Sequence, residues 1–268
     1  MSIFSNLGNK KLVIGLIHLK PLPGTPFYEE GGFDKSLEKA LKDAKALYKG
    51  GADGCLIQTV DRVYPAGDDA DYARVAAMSV ITHEVKKSVS PEFIIGTQIM
   101  WNCITPSLAV AKVCGASFTR CTSLIGTTAS AFGLVNANPL KVQQYRRQIG
   151  AQDVALISEI DGYHFQWLGG ELPLLQKVQM AKMAGADAVE VMHSDEEINN
   201  RMVHDIKKAF PNMPVVLGGK TNIENVSRRM KEADVALVGS CFENKDWGGF
   251  VDETIVREYV SIVRAMEK

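Results

Sequence analysis

An alternation that runs from end to end is the strongest constraint on the fold. Eight short aliphatic and β-branched runs recur: KLVIGLIHL (11–19), GCLIQ (54–58), FIIGTQIM (93–100), SFTRC (117–121), VALISEI (154–160), AVEVM (188–192), VVLGG (215–219) and VALVG (235–239). Longer segments with helical spacing separate them. In DKSLEKALKDAKALYKG, for example, Leu37, Ala40, Leu41, Ala44 and Leu47 fall on one helix face. The strand runs are almost continuously apolar, which indicates burial on both faces, as in a parallel sheet.

An internal echo marks the joints. GGADG (50–54), CGAS (114–117), AGADA (184–188) and KEADV (231–235) each close a helix and open a strand. Glycine suits the left-handed residue after a helix, and a short Ala-Asp turn feeds the next strand. Eight such units in 268 residues predict an α/β fold, a single (β/α)8 barrel over residues 1–268. An open doubly wound sheet would need a glycine-rich loop after its first strand. KPLPGTP stands there instead.

Charge is balanced, with 30 Lys plus Arg against 31 Asp plus Glu, so no surface for nucleic acid is expected. The five cysteines (55, 103, 114, 121 and 241) include no CxxC pair and read as reduced, mostly buried thiols. MSIFSNLGNKK lacks the apolar core of a signal peptide, and no window reaches the length of a membrane span. A cytoplasmic homo-oligomer is the expectation.

Barrel chemistry is carried by side chains at strand C-terminal ends and the loops that follow. The seventh strand ends in Gly218-Gly219 and the eighth in Gly239-Ser240, where bare backbone admits an anion to N–H groups. These four residues are the predicted phosphate site. Thr221 and Glu224 have capping-box spacing and predict a helix start. Lys220 reads as a phosphate partner or a solvent-facing cation.

Four side chains are the acid and base candidates: His18, which ends the first strand, and Glu159, Asp161 and His164 in SEIDGYHFQW. Substrate-binding candidates are Asn102, Arg120, Glu190 and His193, with Glu159 or Glu190 the expected carboxylate partner of a buried Arg120. Asp195 and Glu196 read as helix-stabilising acids. No HExxH or other fixed metal spacing is present, so no metal is assigned, and the cofactor requirement is left open.

VIGLIHLKPLPGTP resembles the opening signature of the BtpA family, and GGADG, FTR, NIENV and ADVALVGS follow in that family's order. The resemblance implies a TIM barrel, with one branch named for photosystem I biogenesis and another encoded among sugar-transport and pentose-phosphate epimerase genes. His18, Pro21, Pro23, Gly24, Asn102, Arg120, Gly219, Asn225 and Gly239 match family positions. Gln58-Thr59, SEIDGYHFQW and MHSDEE depart from the pattern and imply a different substrate or reaction on the same scaffold. LGGKTNIENV also resembles the phosphate loop of phosphoribosylanthranilate isomerase, an analogy of binding only.

The expected function is an enzyme acting on a small phosphorylated sugar or phosphoribosyl compound by acid/base chemistry, as an isomerase, epimerase or lyase. A non-catalytic assembly or regulatory factor and a metal-dependent hydrolase are the alternatives.

Overall fold

The computed structural model describes residues 3–4, 7–170 and 172–267, so the stretch read for a signal lies partly outside the described residues. The chain begins β1 (Leu12–His18), α1 (Gly32–Lys49), β2 (Gly54–Gln58), α2 (Tyr72–Ser88), β3 (Ile94–Gln98), α3 (Ile104–Cys114) and β4 (Phe118–Cys121). It continues with β5 (Thr127–Ser130), β6 (Gly133–Asn136), α4 (Pro139–Gln148), β7 (Ala155–Gly162), β8 (Phe165–Trp167), α5 (Leu174–Met183) and β9 (Ala188–Met192). Last come α6 (Glu196–Ala209), β10 (Val215–Gly218), α7 (Val226–Arg229), β11 (Val235–Val238) and α8 (Glu253–Ala265). Eight parallel strands close a barrel in the order β1-β11-β10-β9-β7-β4-β3-β2, each at an expected run.

Apolar strand residues divide by pleat. Leu12, Ile14, Leu56, Phe118, Ile157, Val216 and Leu237 fill the barrel, where Phe118 meets Phe4 edge to face at 5.8 Å. Val13, Cys55, Ile57, Leu156, Val189 and Ala236 face the helices, including Ala40, Ala44 and Leu47 of α1. Four cysteines are buried and all five are free thiols.

The repeated Ala-Asp turn has a structural job. Asp53, Asp187 and Asp234 each precede a strand, and each accepts the backbone N–H of a neighbouring strand: Val13 at 2.8 Å, Leu156 at 2.9 Å and Val215 at 2.7 Å. Their own N–H groups return bonds to the carbonyls of those same three residues. Each carboxylate also holds a helix cation, Arg264 at 2.6 Å, Arg146 at 3.0 Å and Lys207 at 2.9 Å respectively. Strand to strand and strand to helix are thus pinned together at the N-terminal end of the barrel. At the fourth echo Ser117 stands in the Asp position and keeps only the backbone bond, to Ile95.

The long connection TSLIGTTASAFGLVNANP is more ordered than a loop. β5 and β6 form an antiparallel hairpin with Ala131-Phe132 at its tip, and β8, from the connection after β7, pairs with β5. The three strands stand over the C-terminal mouth. Their signal, β-branched residues in TTAS and GLVN, was too short to separate from a polar loop.

Asp187→Ala should cost about 2 kcal/mol, the scale of a hydrogen bond to a charged group, measured by urea denaturation. No loss would mean the echoed turn is only a chain reversal.

Candidate active site

A cavity of about 850 Å³ opens at the C-terminal ends of the strands. Arg120, Glu159 and Glu190 line it from the adjacent strands β4, β7 and β9. Glu159 and Glu190 are register partners on neighbouring parallel strands, so two carboxylates lie side by side inside the protein. Arg120 joins both: Nε and Nη2 grip Glu190 at 2.6 and 2.9 Å, and Nη2 also donates to Glu159 Oε2 at 3.0 Å.

One guanidinium cannot neutralise two buried carboxylates. Glu190 takes two of the three bonds and Glu159 one. Burial pushes the Glu159 carboxyl up to about 8, Arg120 opposes the shift and Glu190 adds to it. Glu159 is therefore protonated near neutral pH, and its Oε1 is buried without a hydrogen-bond partner. Burial works against the charge on Arg120, but the two glutamates outweigh it and hold its pKa above the ordinary value.

His18 lines the same cavity from β1. Its Nδ1 lies 2.8 Å from Glu243 Oε1, both side chains being buried, and Gly248 N–H donates to the other Glu243 oxygen at 3.2 Å. A carboxylate there holds the proton on Nδ1 and leaves Nε2 as the acceptor. The ring also packs against Trp247 at 5.5 Å. Glu243 and Trp247 were not read from the sequence, because they sit 225 and 229 positions beyond His18 in an irregular loop.

The strand-end glycines make room for these groups. A Cβ on Gly218 would lie 1.9 Å from Glu190 Oε1, one on Gly162 2.1 Å from Glu159 Oε1, and one on Gly239 2.9 Å from His18 Cε1. Gly218 and Gly239, predicted to admit an anion, thus first admit side chains. Gly219, with φ of 62°, and Ser240 line the cavity beside Lys220 and Lys245. Behind the Lys220 loop lies Arg229, 2% exposed, whose Nη1 donates to the Lys220 carbonyl at 3.4 Å while Nε and Nη2 have no partner.

Several candidates lie apart from this group. Period-two alternation would put Asp161 beside Glu159, but a bulge between them turns Asp161 toward Lys177, 3.5 Å away. His193 serves a turn: its Nδ1 accepts Asp195 N–H, and Asp195 caps α6. Asn102 is tied at both ends of its amide to the Ser123 backbone, at 2.8 and 3.1 Å. His164 does line the cavity, where burial, then Arg120 and Lys220, hold its pKa well below the ordinary value, so it is neutral near pH 7.

The Thr221–Glu224 capping box does not form. Thr221 hydroxyl pairs with buried Tyr259 at 2.7 Å, while Asn222 and Asn225 organise the turn and Asn225 precedes α7. Among the described residues no three His, Cys, Asp or Glu side chains converge as a metal ligand set. No helix among them is long and apolar enough to cross a membrane.

Two expectations follow. Gly218→Ala should displace Glu190 from Arg120 and cost about 3 kcal/mol, as breaking a buried pair does, measured by chemical denaturation. For Glu159, the unfolded chain ionises near the ordinary 4.5 and the folded chain near 8. Between those values only the unfolded state loses the proton, so this group erodes stability as pH rises. The stability of Glu159→Gln relative to wild type should therefore climb from pH 5 to 8 and then level off. A flat difference would mean an ionised Glu159 throughout.

Comparison with known proteins bears on the whole chain. An uncharacterized protein of Archaeoglobus fulgidus is 32% identical over 94% of this chain and 98% of its own length. The photosystem I biogenesis protein BtpA of Synechocystis is 26% identical over 95% of this chain and 87% of its own. Among solved structures, N-(5'-phosphoribosyl)anthranilate isomerase from Pyrococcus furiosus shares the fold, with a TM-score of 0.57 at 13% identity, over 95% of this chain and 99% of that one. The BtpA family model matches residues 9–267, and the chain belongs to the BtpA family.

Proposed function

We propose that this protein is an enzyme acting on a small phosphorylated sugar or phosphoribosyl compound by proton transfer, as an isomerase, epimerase or lyase. The observation that carries the reading is one cavity lined by both a buried carboxyl with an unpartnered oxygen, Glu159, and an imidazole aligned by a carboxylate, His18 with Glu243. His18 Nε2 takes a proton from substrate carbon, and Glu243 stabilises the imidazolium. Glu159 gives its proton to a substrate oxygen, and Arg120 receives the carboxylate left behind. Glu159, with its pKa raised by burial, then begins in the protonated form a general acid needs.

The phosphate sits at the β10 and β11 ends, against the backbone of Gly219 and Ser240 and the ammonium groups of Lys220 and Lys245. Arg229 supports this placement, since a buried guanidinium that forms no ion pair among the described residues adds positive potential behind the loop. The isomerase that shares the fold is named for a phosphoribosyl compound, which agrees with the reading.

A thermal-shift series tests it, using wild type and Ser240→Asp with sugar phosphates, ribose 5-phosphate and their dephosphorylated forms. A ligand at about a hundred times its Kd should add roughly 2.7 kcal/mol of stability. The shift should need the phosphate and vanish in the variant. With a substrate in hand, His18→Ala and Glu159→Gln should each lower kcat by about 10²–10⁴. Silence from every phosphorylated compound would favour an assembly role, as the name of the Synechocystis relative suggests.

A further inference from the structure

The proposed chemistry occupies one side of the cavity and leaves the other unexplained. The cavity, at about 850 Å³, is at the large end of the roughly 300–1,000 Å³ found for small-molecule sites. Across the barrel mouth from the β10 and β11 loops, aromatic side chains converge from four separate connections. Tyr64 follows β2, Trp101 follows β3, Phe132 is at the tip of the β5–β6 hairpin, and His164 follows β7; all four line the cavity. Phe132 lies 4.8 Å from Tyr64 and 5.1 Å from Trp101, and Trp101 lies 6.1 Å from His164. Tyr163 links the two sides, with its ring 4.2 Å from His164 and Lys220 Nζ 5.3 Å from its centroid.

Two details separate this wall from ordinary core packing. Trp101 is 94% buried by its 6% exposure, yet its Nε1–H has no hydrogen-bond partner. An unpartnered buried donor is uncommon in a folded protein and calls for an explanation. His164, neutral near pH 7, offers a flat uncharged face rather than a titrating group. Planar rings plus an orphan donor match a flat heterocycle that has an acceptor atom at its edge.

We infer that the substrate carries a heteroaromatic ring joined to its phosphorylated sugar, and that this ring lodges against Tyr64, Trp101, Phe132 and His164. The site then takes a nucleotide-like phosphoribosyl compound in preference to a bare sugar phosphate. The inference rests on the phosphate placement proposed above only for the orientation of the ligand. The ring subsite stands on the aromatic wall itself.

Calorimetric titration of the full chain with ribose 5-phosphate, adenosine, adenosine 5'-monophosphate and uridine 5'-monophosphate separates the two. At least one monophosphate should bind tenfold or more tightly than ribose 5-phosphate. Phe132→Ala, on an exposed hairpin tip, should remove most of that advantage and leave ribose 5-phosphate affinity unchanged. Trp101→Phe, which keeps a ring and deletes the orphan donor, should weaken the monophosphate several-fold. Equal affinity for ribose 5-phosphate and both monophosphates, or no effect of either variant, would overturn the ring subsite and leave the phosphate reading standing. Binding of adenosine without ribose 5-phosphate would keep the ring subsite and sink the phosphate reading. Silence from all four would sink both.

Discussion

A single guanidinium shared by two buried carboxylates governs the rest of the site. Glu159 and Glu190 come into register because β7 and β9 are parallel neighbours, and like charges so placed repel. Arg120, one strand further on, relieves the repulsion unequally: two bonds to Glu190 and one to Glu159. Burial, only partly opposed by that single bond, raises the Glu159 pKa. Chemical polarity in the cavity thus follows from hydrogen-bond counting on three adjacent strands.

That arrangement needs space that ordinary residues would fill. Glycine stands where a Cβ would strike each of three groups: Gly162 against Glu159, Gly218 against Glu190, and Gly239 against His18. Bare backbone at a barrel rim is therefore ambiguous as a signal. It can mean close approach of a ligand or close approach of the protein's own side chain. Here Gly218, Gly219 and Gly239 all meet the second condition, since a Cβ on Gly219 would lie 2.6 Å from the Tyr163 hydroxyl, and all three line the cavity together with Ser240.

What could be read from the sequence follows the range of the interaction involved. The barrel was legible because the strand runs are apolar on both faces and four of the joints repeat locally. Arg120 with Glu159 and Glu190 was legible because alternation sends strand-end positions inward. Asp161 was misplaced because a bulge interrupts that alternation, and a bulge leaves no mark in residue type. The Thr221 cap failed because Tyr259, on the last helix, claims the hydroxyl from 38 residues away. Glu243 escaped notice for the same reason: its link to His18 spans 225 residues and has no local spacing.

The two ends of the barrel solve different problems with similar side chains. At the N-terminal end, three aspartates repeat one device, each with its own cation and its own strand. Each of those carboxylates binds a cation that the other two do not share. At the C-terminal end, Arg120, Glu159 and Glu190 share bonds and a proton, so no member has a value independent of the others. Removing Glu190 would free Arg120 for Glu159 and favour its ionisation, converting the acid into a spectator carboxylate. Removing Glu159 would leave the Glu190 pair intact. Two glutamates in register on adjacent strands thus have unequal parts, one holding the guanidinium and the other holding the proton.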